Sequence, residues 1–174
     1  MNPIPPSSMP RSRKAQLFWP LVVALLVADC ATKELAVEHL SPPSVPHAVL
    51  DDWLRLTLAY NRGAAMGLTL GPVSRFGFAL LAVGALLVLF QLYRLTPPSA
   101  AGRTGALALL IAGAAGNLMD RLRSPKGVVD FIDVGVGSWR FWTFNLADAC
   151  ITLGALGLMA ALWRARRDEG AGAC

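Results

Sequence analysis

Charge is scarce in this sequence. Only 16% of its 174 residues are charged, while 55% are hydrophobic. A soluble domain averages about 25% charged and no more than about half apolar residues. The shortage of charge argues against an ordinary water-soluble globule, and the surplus of apolar residues argues against disorder. Cysteine is scarcer still: Cys30, Cys150 and Cys174 form an odd set without a CxxC pair. They are too few for a disulfide framework and carry no zinc spacing. The histidines, His39 and His47, lie in a Pro-rich stretch with no cysteine nearby, so no metal site is expected.

What remains is an 18.5 kDa chain with a mean hydropathy of +0.50 and a formal net charge of +5. Its length allows one domain. So small a chain can hide this much apolar surface only in lipid. Four apolar runs approach the 18 or so residues needed to cross the hydrocarbon layer. The cleanest, Phe76 to Tyr93, carries no charge; Thr104 to Met119 is rich in Gly and Ala. Thr143 to Trp163 contains one charge, Asp148, and the first run, from Ala15, is interrupted by Asp29, Lys33 and Glu34. The runs predict helices over about 15–37, 74–94, 103–120 and 143–164. Residues 1–14 and 166–174 read as tails, the first Pro- and Ser-rich and disordered. The first run also resembles a signal peptide, with Arg11, Arg13 and Lys14 leading into Leu26-Val27-Ala28-Asp29-Cys30. Asp29 stands where a cleavage site before a cysteine requires a small residue, so the reading favours a retained helix.

Between the first two spans, Trp53 to Tyr60 alternates with strand periodicity, which predicts a small sheet on the membrane surface. Between the last two, Trp139, Phe141 and Trp142 suit a membrane–water interface. Four spans put both termini on one side. That side would hold Arg11, Arg13, Lys14, Arg94, Arg103, Arg164, Arg166 and Arg167. The other would hold Lys33, Arg55, Arg62, Arg75, Arg121, Arg123, Lys126 and Arg140. The two counts are equal. The terminal side is the shorter, so its basic density is greater, and both termini are expected in the cytoplasm.

A carboxylate within a span costs a few kcal/mol on insertion scales and marks a functional hypothesis. Asp29 and Asp148 are such residues, both toward the outer ends of their helices, and Asp120, Asp130 and Asp133 adjoin the last loop. Asp130 sits in Val128-Val129-Asp130-Phe131-Ile132, an apolar run unlike that of a solvated acid. If this run folds back over the fourth span, Asp130 meets Asp148. Two close carboxylates cannot both ionise easily, so one keeps its proton. Such a dyad supports aspartic-protease chemistry without metal, serine or cysteine. Asn117 and Asn145 each lie three residues before an acid, on a shared helix face. Asn61 opens a small-residue segment, Asn61-Arg62-Gly63-Ala64-Ala65-Met66-Gly67, that admits a second backbone.

Plainer readings stand beside these. Asp120 and Arg121 could form an ion pair at a helix end, and Asp133 could be a solvated loop acid. Asp29 has salt-bridge spacing to Lys33. Asn61 and its glycines could be a simple turn, and the Gly/Ala content of the third span could serve packing alone. A proton-coupled transporter or channel would also use intramembrane acids, although no acid sits mid-span and no inverted repeat is visible. A membrane scaffold without catalysis is a third possibility.

At these residues the sequence resembles the bacterial lipoprotein signal peptidases (signal peptidase II), integral-membrane aspartic proteases. The matching blocks are Asp29-Cys30-Ala31-Thr32-Lys33, Asn61 to Gly67, Gly116-Asn117-Leu118-Met119-Asp120-Arg121, Val128 to Asp133 and Phe144-Asn145-Leu146-Ala147-Asp148. They run in order through residues 15–165. Met66 departs from the family, where Phe is expected. The resemblance implies an all-α integral membrane protein with four transmembrane helices, a small periplasmic sheet and cytoplasmic termini. It implies a catalytic pair, Asp130 and Asp148, at the outer leaflet of the inner membrane. It implies prolipoprotein substrates already carrying diacylglycerol on the cysteine before which the enzyme cuts. Asn61, Gly63, Asn117, Arg121 and Asn145 would bind substrate or support the site, and Asp29, Lys33 and Asp120 would be structural. No cofactor, metal or nucleic acid is implied, and the chain would work as a monomer among membrane lipids.

Overall fold

The computed structural model describes residues 13–63 and 74–171, with side chains to residue 167. Four long helices carry the apolar runs: α1 (Arg13–His39), α2 (Ser74–Leu95), α3 (Ala101–Arg123) and α4 (Leu146–Ala171). All four are long and apolar enough to span a bilayer. The expected four-span membrane architecture is therefore present. Helix α3 is central: 44% of its most apolar stretch is buried inside the protein, against 17%, 11% and 17% for α1, α2 and α4. Its Gly and Ala content explains this. A Cβ on Gly113 would run into the Ala147 carbonyl and the Ile151 side chain of α4. Small residues thus bring the two backbones together, as is common between membrane helices.

One end of the bundle is closed by Phe18 and Val22 of α1, Tyr93 of α2 and Leu107 of α3. Phe18 and Tyr93 stack with ring centroids 3.8 Å apart. The same end ties down the start of α1. Lys14 Nζ donates to the carbonyls of Thr96 (2.6 Å) and Arg94 (3.2 Å) and lies over the Tyr93 ring. Arg13 and Lys14 are therefore helical rather than part of a loose tail. The other tail is shorter than expected too, since α4 continues to Ala171. Residues 1–12, Cys174 and the 64–67 part of the small-residue segment, including Met66, lie outside the described residues.

At the opposite end is a four-stranded antiparallel sheet in the order β1 (Pro46–Leu50), β2 (Leu54–Asn61), β3 (Val128–Val136), β4 (Trp139–Arg140). Strand β2 answers the alternation seen in the sequence. The sheet is larger than that reading implied, because the loop between α3 and α4 supplies two more strands. Leu58 and Phe131 pack on Ala36 and Leu40 at the end of α1, which seats the sheet on the bundle. Trp139 is 80% exposed, with Trp53, Phe141 and Trp142 also exposed, the placement expected of an interfacial aromatic belt.

Candidate active site

Asp130 and Asp148 belong to different elements, and Phe144 brings those elements together. Its backbone bridges β3: Phe144 N–H donates to Ile132 (3.0 Å), while Ile132 and Phe131 donate to the Phe144 carbonyl (2.8 and 3.0 Å). Helix α4 begins two residues later. Its start is a reciprocal cap. Asp148 N–H donates to Asn145 Oδ1 (3.0 Å) and Asn145 N–H donates to Asp148 Oδ2 (3.2 Å). This is a capping box built from Asn and Asp. It explains why the helix starts at Leu146 rather than near 143: Asn145 is the cap, so its backbone lies outside the helix.

The Asn145 amide then serves a second purpose. Its Oδ1 is held by the Asp148 amide, so its Nδ2 points the other way and donates to Asp130 Oδ1 at 2.7 Å. Nδ2 also lies 3.1 Å from Asn117 Oδ1 and 3.2 Å from the Val129 carbonyl. Asn117 in turn donates from Nδ2 to Asp148 Oδ1 at 2.7 Å. Each acid therefore receives a short amide hydrogen bond. Asp130 and Asn145 are fully enclosed, whereas Asp148 is half-buried. Burial pushes the Asp130 carboxyl up to about 7, and the nearby Asp148 charge raises it further; hydrogen bonds from Asn145 and Asn61 and the charge of Lys33 oppose this.

Asp29 and Lys33 supply the foundation. Asp29 Oδ1 accepts the Ala147 N–H at 2.9 Å, capping a further amide of α4. Gly116 makes room for that carboxylate, since any Cβ there would strike Asp29 Oδ2. Lys33 Nζ reaches Asp29 (2.8 Å), Asp120 (2.9 Å) and Asn117 Oδ1 (3.0 Å). The spacing of Asp29 and Lys33 thus did signal a salt bridge. Two other readings are corrected. Asp120 pairs with Lys33 across helices rather than with neighbouring Arg121, and it also accepts the Val129 N–H (3.3 Å). Asp133 is no solvated acid: it is buried, bound by Arg140 Nε at 2.7 Å and by the Thr57 hydroxyl at 3.1 Å.

Asn61 ends β2 beside the acids. Its Oδ1 accepts the Gly63 N–H (3.0 Å), which makes a side-chain-stabilised turn, while Asn61 still lines the cavity. The turn reading of Asn61 is therefore present in the structure, and the turn sits at the cavity. Arg121 donates to the Gly63 carbonyl (2.9 Å) and, one turn back, to Asn117 O (3.1 Å).

The cavity has a volume of about 600 Å³. Asn61, Asn117, Arg121, Asp130 and Asp148 form its polar floor; Phe141, Trp142, Phe144, Ile151 and Leu153 form an apolar wall. The sequence had marked Phe141 and Trp142 only as interfacial aromatics. The contribution of Ile151 and Leu153 was missed, because in the sequence they are indistinguishable from other lipid-facing residues of α4.

Similarity to known proteins extends over most of the chain. The family model for signal peptidase II matches residues 21–164. A lipoprotein signal peptidase of Chlorobium phaeobacteroides (strain BS1) is 37% identical over 151 residues, covering 80% of this chain and 91% of that protein. One from Burkholderia mallei (strain SAVP1) is 43% identical over 116 residues, covering 62% and 64%. A solved bacterial membrane enzyme superposes with a TM-score of 0.71 at 28% identity, over 83% of this chain and 86% of that one.

Proposed function

The chain belongs to the signal peptidase II family of membrane proteases, and on that basis we propose that it removes signal peptides from diacylglyceryl-modified prolipoproteins by an aspartic mechanism at Asp130 and Asp148. The observation that carries the reading is the shared cavity: two carboxyl groups from β3 and α4, linked through Asn145, line one space together with several apolar side chains. Family membership sets aside the transporter and scaffold readings.

Asp130, enclosed and pushed up to about 7, holds the proton. Asp148 carries the charge, favoured by its place in the first turn of α4 and by two N–H donors. A water between them loses a proton to Asp148 and attacks the scissile carbonyl. Asp130 donates its proton to the developing oxyanion, giving a tetrahedral diol. Collapse of the diol returns a proton to the leaving amine, which begins the mature lipoprotein at its lipidated cysteine. Arg121 and Asn61, on the cavity floor, orient the substrate backbone. The apolar wall takes the lipid-bearing end, and the acyl chains lie in the bilayer at about 0.8 kcal/mol per buried CH₂.

The membrane placement belongs to the same proposal. The end bearing the sheet and cavity faces the periplasm at the outer leaflet, and both termini face the cytoplasm. The exposed aromatics around the sheet support it. Cleavage of a diacylglyceryl-modified precursor by the purified protein is the direct test. Asp130→Asn and Asp148→Asn should each abolish it while still inserting and folding; retention of more than about a tenth of wild-type turnover by either variant removes the dyad assignment.

A further inference from the structure

Lys33 lies outside the cavity floor, buried among α1, α3 and the sheet. Its ammonium meets three acceptors, Asp29, Asp120 and Asn117 Oδ1, which accounts for all three of its protons. Two of these are ion pairs, and they alone would explain a structural lysine. The third has a different consequence.

An ammonium can only donate. The group that Asn117 turns toward Lys33 must therefore be its carbonyl oxygen, at 3.0 Å. Asn145 Nδ2, another donor, approaches the same oxygen at 3.1 Å. With Oδ1 fixed by two donors, the NH₂ end of Asn117 has one direction left, and there it meets Asp148 Oδ1 at 2.7 Å. Asp130 receives an equally short bond from Asn145, so it is the direction of the Asn117 amide, a donor aimed at Asp148, that favours the ionised form there. If the amide were reversed, its oxygen would face Asp148 and would favour a protonated acid instead. Asn145 does not depend on Lys33, because the Asp148 backbone N–H fixes its Oδ1.

We propose that Lys33 is a positioning residue of the acid pair: by holding the carbonyl end of Asn117 it obliges the amide to donate to Asp148, so that Asp148 keeps the negative charge and Asp130 the proton. This rests on the dyad reading above and assigns the source of its asymmetry. The charged groups around the pair are Lys33 from α1, Arg121 and Asp120 from α3, and Asp29, which bonds the adjacent Ala147 amide. Among these, Lys33 is the one that fixes an amide on Asp148.

The test is the pH dependence of kcat for cleavage of a diacylglyceryl-modified precursor peptide by the full chain in detergent micelles. Lys33→Met should lower kcat about tenfold or more, with KM within about twofold, and should move the acidic limb of the profile to higher pH. A purely structural lysine would lower the melting temperature and leave the profile of the folded fraction in place. Lys33→Met also removes a charge, so the double variant Lys33→Met/Asp120→Asn, neutral overall, must show the same displaced limb. Recovery of the wild-type profile in the double variant would assign the effect to charge and overturn the proposal. Asp120→Asn alone keeps the Lys33–Asn117 bond and should leave the limb in place while lowering the melting temperature. An infrared measurement on the wild-type lysine background completes the set. At pH 6 the protonated carboxyl stretch should vanish in Asp130→Asn and persist in Asp148→Asn; the reverse pattern also overturns the proposal. Activity in either Asp→Asn variant would instead remove the dyad reading itself, so the two failures are distinguishable.

Discussion

Asp29 of α1 accepts the backbone N–H of Ala147 at 2.9 Å, across 118 residues of sequence. The bond places the carboxylate of one helix on the first turn of the helix that carries Asp148, one residue before it. The first four N–H groups of a helix have no partner within it. In α4, Asp29 and Asn145 take two of them. The same carboxylate pairs with Lys33, so its loss would leave both an unmet amide and a lysine short of one counter-charge.

Asp29→Ala should therefore destabilise the protein by about 3–5 kcal/mol, the range for breaking a buried charge pair by removing one partner. Asp29→Asn keeps an oxygen for the Ala147 amide and loses only the ion pair, so its cost should be less than half as large. Thermal unfolding in detergent, with activity measured on the fraction that remains folded, separates the two. Equal destabilisation by both substitutions would mean that the cap contributes nothing and the ion pair everything.

Asn145 combines two duties that substitution can divide. As helix cap it accepts the Asp148 N–H; as amide donor it binds Asp130. Serine is about as good a cap as asparagine, but it is too short to hold both acids. Asn145→Ser should keep the cap, cost about 1–3 kcal/mol for the buried donor withdrawn from Asp130, Asn117 and Val129, and lose about 100-fold in kcat, as expected when a charge-stabilising hydrogen bond leaves an active site. Asn145→Ala should lose the same activity and a further 1 kcal/mol or so of stability. A serine variant as active as the wild type would show that the amide bond to Asp130 has no part in catalysis.

These two residues also show what was legible in the sequence. The four spans were, because long apolar runs admit few alternatives in a chain with so little charge. Asp29 and Lys33 were, because a spacing of four puts two side chains on one helix face. The partner of Asp120 was not. Sequence proximity pointed to Arg121, but Arg121 turns toward the Gly63 carbonyl, and only the packing of α1 on α3 brings Lys33 within reach. The burial of Asp133 was hidden for the same reason: Arg140 reaches it through the β3–β4 hairpin, and that loop carried no clear strand alternation. Spacing suggested that Asn145 shares a face with Asp148. Its role as the link between the acids depends on Phe144 bridging Ile132, a long-range backbone contact with no local sequence signal.

The enclosed Asp130 carboxyl makes stability depend on pH in an unusual direction. Its value is about 3.8 when the chain is unfolded and about 7 in the folded protein. Between those limits the folded state holds a proton that the unfolded state has lost. Stability is therefore fully present below about pH 4 as far as this group is concerned, and is lost as pH rises through about 7. The usual paired carboxylate behaves in the opposite sense. Asp130→Asn cannot ionise, so it should abolish this component: the melting temperature of the variant should fall less than that of the wild type between pH 5 and 7.5. Activity should follow the same proton, because an Asp130 that has lost it cannot protonate the oxyanion. The basic limb of kcat should fall near pH 7, as an apparent value belonging to the coupled pair rather than to one acid. A melting temperature with identical pH dependence in wild type and Asp130→Asn would show that the carboxyl is already ionised throughout that range, and that the proton needed for the reaction resides elsewhere.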